Sequence, residues 1–290
     1  MASTEYQYTI TASDVSAPDV STACDYLARH SGLSKSKIKD AMLKGAVWLT
    51  RACQKNKRLR KTTKRLQQGD KLALYFDDNL LKLIPPKPLL VADSNHYSVW
   101  YKPAGLLAQG TLYGDHVSLL RQAELHFQMK RKVFLVHRLD REATGLMLVA
   151  HNNAIAAKLS QLFKDNSIYK KYRAEVFGRL EVAVGREGGG VTINEPLDGK
   201  TATTQCWPLA YHSQKNSTVV DICIKTGRKH QIRRHFAFIG HPILGDPLYG
   251  KRNKHTEMKL CAIQLQFTCP VTHKLVVFTL GNTEEIFLVD

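Results

Sequence analysis

The sequence predicts two domains that mix helices with strands, an α+β body preceded by a small α/β domain, and three observations carry the division between them. First, 290 residues with 43% hydrophobic and 8% aromatic content suffice for one medium and one small core. Second, basic charge is uneven: residues 1–90 hold 16 Lys/Arg against 8 Asp/Glu, a net +8, and the remaining 200 hold 26 against 17, a net +9. Third, a proline cluster, IPPKP at 84–88, punctuates the chain between the two. We place a first domain at 1–80 with its core at about 20–76, a Pro-containing linker at 81–92, and a second domain at 93–290.

In the first domain, STACDYLARHSG sets Thr22 three residues before Asp25, a capping pattern, and supplies Gly32 as a stop. Ser34 caps a second helix whose apolar stripe is Ile38, Ala41 and Met42, with Lys35, Lys37, Lys39 and Lys44 elsewhere and Gly45 at its end. AVWLT reads as a strand. RACQKNKRLRKTTKR, residues 51–65, then carries eight basic side chains and no acid, and KLALYF is a further strand.

Four stretches of the second domain stand out. VWYKPAGLLAQGT ends a strand at Lys102-Pro103-x-Gly105. VHRLDREATGLMLVA sets the carboxylate of Asp140 between Arg138 and Arg141. A guanidinium within ion-pair reach would depress its pKa. A strand starts at Gly145, followed by a helix with Ile155, Leu159, Leu162 and Phe163 on one face, so Asp140 sits on a loop at a strand edge. SIYKKYRAEVFGRL alternates as a strand with Tyr172, Ala174 and Val176 on one face. In VVDICIKTGRKHQIRRHFAFIGHPILGDPLYG, a strand through Val220, Ile222 and Ile224 turns at Thr226-Gly227 into a helix built on Ile232, Phe236 and Ile239. Lys229, Arg233 and Arg234 cluster on and beside that helix.

The net charge of +17 points to a polyanionic partner, most simply nucleic acid. Six cysteines form no C-x-x-C pair, so neither a zinc ribbon nor a redox motif is visible, and the scatter suits reduced thiols. MASTEYQYTITASDV lacks the basic start and apolar run of a secretion signal, and no later run would span a bilayer. We expect a cytoplasmic monomer with no membrane partner.

HRLDREATG resembles the H-R-L-D-x-x-T-S-G signature of the RluA family of RNA pseudouridine synthases. KPAG, KKYRAEVFG and TGRKHQIRRHFAFIGHPILGDPLYG resemble that family's other segments in the same order, over about residues 89–280. Residues 20–76 resemble the S-four-type RNA-binding module. One departure is Ala143-Thr144 in place of Thr-Ser, which keeps a threonine hydroxyl one place along. A second is Lys229 beside the doubled Arg233-Arg234, which resembles a tRNA-modifying branch, whereas an S-four-type module is more usual in rRNA-modifying members.

The resemblance implies a catalytic domain of largely antiparallel, mixed sheet, the pseudouridine synthase fold, with Asp140 on the floor of a cleft across it. It implies no cofactor and no metal. Asp140 would start the isomerisation of uridine, by attack on sugar or base or by proton abstraction. Arg233 would pair with Asp140, and Tyr172 would stack on the target base. Arg138 would fill the gap left by the flipped uridine. His137, Lys102, Thr144, Lys229, His230 and Gln231 complete the expected substrate contacts. Lys35, Lys37, Lys39, Arg51, Lys57, Arg58, Arg60 and Lys61 are the expected RNA contacts of the first domain, the partner being structured rRNA or tRNA.

Two other classes compete. A non-catalytic RNA-binding protein would share charge and fold but has no need of Asp140, Tyr172 and Arg233 together. A metal-dependent RNA hydrolase or deaminase could draw on His137, His230, His235 and His241, which lack H-x-E…C-x-x-C or H-E-x-x-H spacing.

Overall fold

The computed structural model describes residues 3–16, 22–52, 54–181, 190–250 and 257–281. The chain divides into two units, Met1–Pro85 with Gln109–Gln122, and Pro86–Ala108 with Ala123–Asp290. The first unit's main segment thus ends inside the expected linker. It also takes in Gln109–Gln122, a segment that the linear reading left in the 93–290 domain.

The first unit contains β1 (Thr4–Thr9), α1 (Ala12–Ser16), α2 (Ala23–Ser31), α3 (Lys35–Leu43), β2 (Val47–Thr50), β3 (Lys57–Arg58), β4 (Lys71–Phe76) and α4 (Asp78–Lys82). Thr22 starts α2 by accepting from the Asp25 N–H at 3.2 Å and donating to its Oδ2 at 2.6 Å, and Gly32 ends it at φ +71°. Ser34 caps α3, whose Ile38, Ala41 and Met42 are fully buried. These residues pack on an antiparallel sheet of order β1-β4-β2-β3. The reading from sequence omitted β1, which pairs with β4 along its whole length.

Three of the arginines expected to meet RNA are instead tied into this unit. Arg51 pairs with buried Asp70 at 2.6 Å. Arg58 and Arg60 both pair with Asp115 of the 109–122 segment, and Arg58 also donates to the Gly45 and Thr111 carbonyls. The physical reason is that Asp115, distant in sequence, neutralises two cations that look unopposed within 51–65. Lys37, Lys39, Lys57 and Lys61 are exposed, and so is Lys35, although it pairs with Asp25 at 2.7 Å.

The second unit comprises β5 (Leu89–Asp93), β6 (Tyr97–Lys102), the end of α5 (Leu119–His126), β7 (Phe134–Leu135), β8 (Thr144–Ala150), α6 (Asn153–Lys164), β9 (Tyr169–Phe177), β10 (Val191–Ile193), β11 (Thr204–His212), β12 (Ser217–Ile224), α7 (Gln231–Phe238), β13 (Leu260–Thr268) and β14 (Leu275–Thr279). Its ten-stranded sheet runs β10-β11-β12-β9-β13-β8-β6-β5, with β14 beside β13 and β7 beside β8. Every pairing is antiparallel except β8 with β13. The sheet is therefore mixed and largely antiparallel, as expected.

Strand β8 explains the apolar run after Asp140. Leu146 to Ala150 are all fully buried, the pattern of a central strand covered on both faces. Leu146, Leu148 and Ala150 pack with Ile155 and Leu159 of α6, a helix that Asn152 caps by accepting from the Ile155 N–H at 2.9 Å. Gly145 sits at φ +113°, where a Cβ would overlap the backbone of Ala262 on β13. This close approach requires a glycine where β8 pairs with β13. Among the described residues, no helix is long and apolar enough to cross a membrane.

Candidate active site

Asp140 lies in the loop leading into β8. Lys102, at the end of neighbouring β6, holds that loop. Its ammonium is fully buried and donates to the carbonyls of Pro103 and Leu106 at 2.9 Å each and of Arg141 at 3.2 Å. Burial pulls the lysine pKa down to about 8, against the opposing pull of Glu142 and Asp140. Lys102 therefore spends its ammonium on backbone carbonyls and clamps the residue beside Asp140.

The first turn of α7 supplies the partner. Arg233, only 1% exposed, donates through Nη1 to Asp140 Oδ2 at 3.0 Å. Its other edge forms a two-pronged pair with buried Asp246, Nε to Oδ2 and Nη2 to Oδ1, both at 2.8 Å. Glu142 stands 3.6 Å from Nη1. Burial opposes the guanidinium's charge, but hydrogen bonds to Asp246 and Asp140 outweigh it and hold the pKa above its ordinary value. Burial likewise works against the Asp246 carboxylate. Hydrogen bonds from Arg233 and from the Leu248 and Tyr249 N–H groups overcome that and depress its pKa.

The flanking arginines behave differently from their sequence position. Arg138 and Arg141 are exposed, and Arg141 directs Nε at the Gly105 carbonyl at 3.3 Å. The guanidinium within ion-pair reach of Asp140 is that of Arg233, brought from α7.

Asp140, Tyr172, Arg138, Lys229, His230 and Arg233 line one cleft of about 410 Å³. Tyr172 reaches it from the middle of β9, between Ile222 of β12 and Ala262 of β13. Burial and then the charge of Asp140 raise its phenol pKa, so the hydroxyl stays protonated at neutral pH. Arg138, Arg228 and Lys229 put exposed cations around the cleft.

Three further expected contacts are scaffold. His137 accepts from the Leu148 N–H at 2.9 Å and stacks on Phe163 with ring centroids 4.2 Å apart. Burial, then nearby Lys170, lowers its pKa to about 3, so it remains a neutral acceptor. Thr144 donates to the Leu260 carbonyl at 3.3 Å, across the β8–β13 seam. Gln231 lines the cleft but spends its amide internally. It accepts from Thr226 Oγ1 at 2.7 Å and the Arg228 N–H at 3.0 Å, and donates to Thr203 and Thr204. It thereby sets the turn that presents Lys229 and His230.

Asp246, Tyr249 and Glu142 were missed from sequence, although GDPLYG lay within the fourth stretch. The available signal was a lone acid in a turn after a basic helix. His235 binds Thr204 Oγ1 and the Glu195 carbonyl, and His241 binds the Phe177 carbonyl. Among the described residues, no group of three or more His, Cys, Asp or Glu is placed to hold a metal.

Residues 96–238 match the family model for RNA pseudouridylate synthase. The tRNA pseudouridine synthase C of Vibrio vulnificus is 30% identical over 65% of this chain and 88% of its own. The chain belongs to the RluA-type family of RNA pseudouridine synthases. The ribosomal large subunit pseudouridine synthase D of Zymomonas mobilis is likewise 30% identical, over 65% of this chain and 67% of its own. The human RNA pseudouridylate synthase domain containing 1 superposes with a TM-score of 0.57 at 22% identity, over 69% of this chain and 86% of that one. The fold is thus the α+β pseudouridine synthase fold, and membership of this synthase family makes the chain an isomerase.

Proposed function

We propose that this chain converts specific uridines of structured RNA into pseudouridine, with Asp140 as the group that starts the reaction. The isomerisation breaks the bond from uracil N1 to ribose C1′ and forms one from C5 to C1′, while a proton leaves C5 and one arrives at N1. No electron donor or acceptor enters that balance. The observation that carries the reading is the Asp140–Arg233–Asp246 chain. A partly exposed carboxylate faces a cleft, its Oδ2 fixed by a buried guanidinium that a second carboxylate orients.

Around it, Tyr172 offers a ring for the uracil to stack on. Arg138, exposed at the cleft, occupies the space a flipped nucleotide vacates, offsetting part of an unstacking cost of a few kcal/mol. Lys229 and Arg228 meet the backbone. The first unit acts as an S-four-type RNA-binding domain that supplies affinity and choice of target. Support comes from its two capped helices on an antiparallel sheet and from the exposed Lys37, Lys39, Lys57 and Lys61. The target lies in ribosomal or transfer RNA, the two substrates for which the relatives are named.

Asp140→Asn tests the reading, because Asn keeps the shape and loses the charge. We expect isomerisation to disappear while fold and RNA affinity persist. Turnover within tenfold of the wild type would refute it, since removing an essential reacting group raises the barrier by several kcal/mol. Pseudouridine mapping in total RNA from cells with and without the gene identifies the uridine. An unchanged map beside retained RNA binding would instead favour a non-catalytic RNA-binding protein.

A further inference from the structure

Arg233 secures only one oxygen of Asp140. A carboxylate held at a single oxygen still turns about its Cβ–Cγ bond, a soft torsion with broad, roughly two-fold wells. The other oxygen, Oδ1, faces His230 Nε2 at 3.7 Å, and the far nitrogen of that ring, Nδ1, lies 3.1 Å from the Tyr249 hydroxyl. We propose that His230 and Tyr249 are a positioning pair that fixes Oδ1 of Asp140 toward the substrate. The proposal rests on Asp140 being the reacting group.

Three features of the geometry support it. The first is tautomer logic. With Tyr249 donating to Nδ1, the proton sits on Nε2 and points at the carboxylate, whereas the opposite tautomer would aim a lone pair at an anion. The 3.7 Å separation is longer than a hydrogen bond, and catalytic contacts of this length tighten when substrate binds.

The second is backbone conformation. His230 occupies the left-handed region at φ +53°, ψ +29°, immediately before α7, and its side chain makes no capping bond there. A residue with a Cβ is uncommon in that region, and such conformations cluster at functional sites. Here the conformation sends the imidazole into the cleft instead of onto the helix end.

The third is closure. The Tyr249 N–H donates to Asp246 Oδ1 at 3.1 Å, and the Tyr249 ring lies 5.4 Å from the Arg233 guanidinium carbon. Asp140, Arg233, Asp246, Tyr249 and His230 therefore form a closed circuit. Two residues three apart at the start of α7 reach the two oxygens of Asp140, and one turn after α7 holds both. Burial keeps the His230 pKa below its ordinary value, with Arg233 and Lys229 acting in the same direction and Asp140 and Asp246 against it. The ring is therefore a neutral donor at neutral pH.

The test uses the full chain with His230→Gly, His230→Asn and Tyr249→Phe. Glycine suits the left-handed backbone, so His230→Gly keeps the fold and removes only the donor. Asparagine tolerates the same backbone and restores a shorter N–H donor. We expect kcat to fall roughly tenfold to hundredfold in His230→Gly, as when an outer partner orienting a reacting ligand is lost, with KM within about twofold. Tyr249→Phe should fall less, and His230→Asn should recover part of the loss. A change confined to KM would make His230 an RNA contact and overturn the proposal, as would unchanged kcat in His230→Gly.

A readout without substrate separates this pair from the isomerase reading itself. Imidazole nitrogen NMR should find the Nε2–H tautomer for His230. In Asp140→Asn the His230 pKa should drop by roughly half a pH unit or more, because the carboxylate that favours its protonation is gone. The other tautomer, or an unmoved titration, would overturn the pairing whatever the enzyme does. Absence of isomerisation by the wild type, with the NMR results as expected, would count against the proposed function alone.

Discussion

Asp246→Asn isolates the buried end of the carboxylate–guanidinium chain. Asp246 is 2% exposed and accepts from Arg233 Nε and Nη2 at 2.8 Å each, from the Leu248 N–H at 2.9 Å and from the Tyr249 N–H at 3.1 Å. Asparagine has the same shape but one acceptor oxygen, and its amide N–H groups would face the arginine's own donors. Arg233, only 1% exposed, would lose one of its two bonds to residue 246 together with the charge that paired with it. Removing one member of a buried ion pair costs about 3–5 kcal/mol. In a domain of 150–250 residues each kcal/mol lowers Tm by about 2–4 °C, so calorimetry at pH 7 should show a drop of roughly 6–20 °C.

The pH dependence gives the prediction a second edge. The folded Asp246 carboxyl has a pKa below its ordinary 3.8, so it binds a proton more weakly than the unfolded chain does. Its stabilisation is complete above the unfolded value and is lost as pH falls through the folded one. Asparagine does not titrate. Wild-type and variant melting temperatures should therefore converge below about pH 3.8 and separate above it. A difference under about 2 °C at pH 7, or one that fails to narrow in acid, would refute the account of Arg233 as a buried cation sustained by Asp246.

Arg233→Ala should cut isomerisation roughly a hundredfold or more, and Arg233→Lys should rescue it only partly, since lysine lacks the planar fork that serves two carboxylates at once. Equal steady-state rates for lysine and arginine would make Arg233 a simple charge. Replacing Lys37, Lys39, Lys57 and Lys61 with Glu together should weaken RNA binding and flatten the dependence of log K on log salt. Four phosphate contacts at about 0.7–0.9 each predict a loss of about three in slope. Adding Arg58→Glu and Arg60→Glu should also lower Tm, because those side chains hold Asp115; a melting curve no worse than that of the lysine variant would show those pairs to be idle. EDTA followed by dialysis should leave the rate on a short unstructured RNA unchanged, and activity restored by a divalent ion would favour metal-assisted chemistry.

What the sequence by itself determined is local. Thr22 and Ser34 cap helices, and Leu146 to Ala150 form a strand, because a cap and a short continuous apolar run act within a few residues. The H-R-L-D run singled out Asp140, and its resemblance named Arg233 and Tyr172. Tertiary structure decided partnership. The pair to Asp140 comes from 93 residues away and not from the adjacent Arg138 or Arg141. Lys102 and His137, expected at substrate, instead hold backbone, and Arg58 and Arg60, expected at RNA, are claimed by Asp115. The physical reason is common to all of these. A charged or polar side chain takes the nearest opposite partner in space, and burial makes that choice energetically compulsory. Which groups are near is set by sheet order, by the parallel β8–β13 seam and by the turn after α7, and none of these is encoded in the spacing of a single segment.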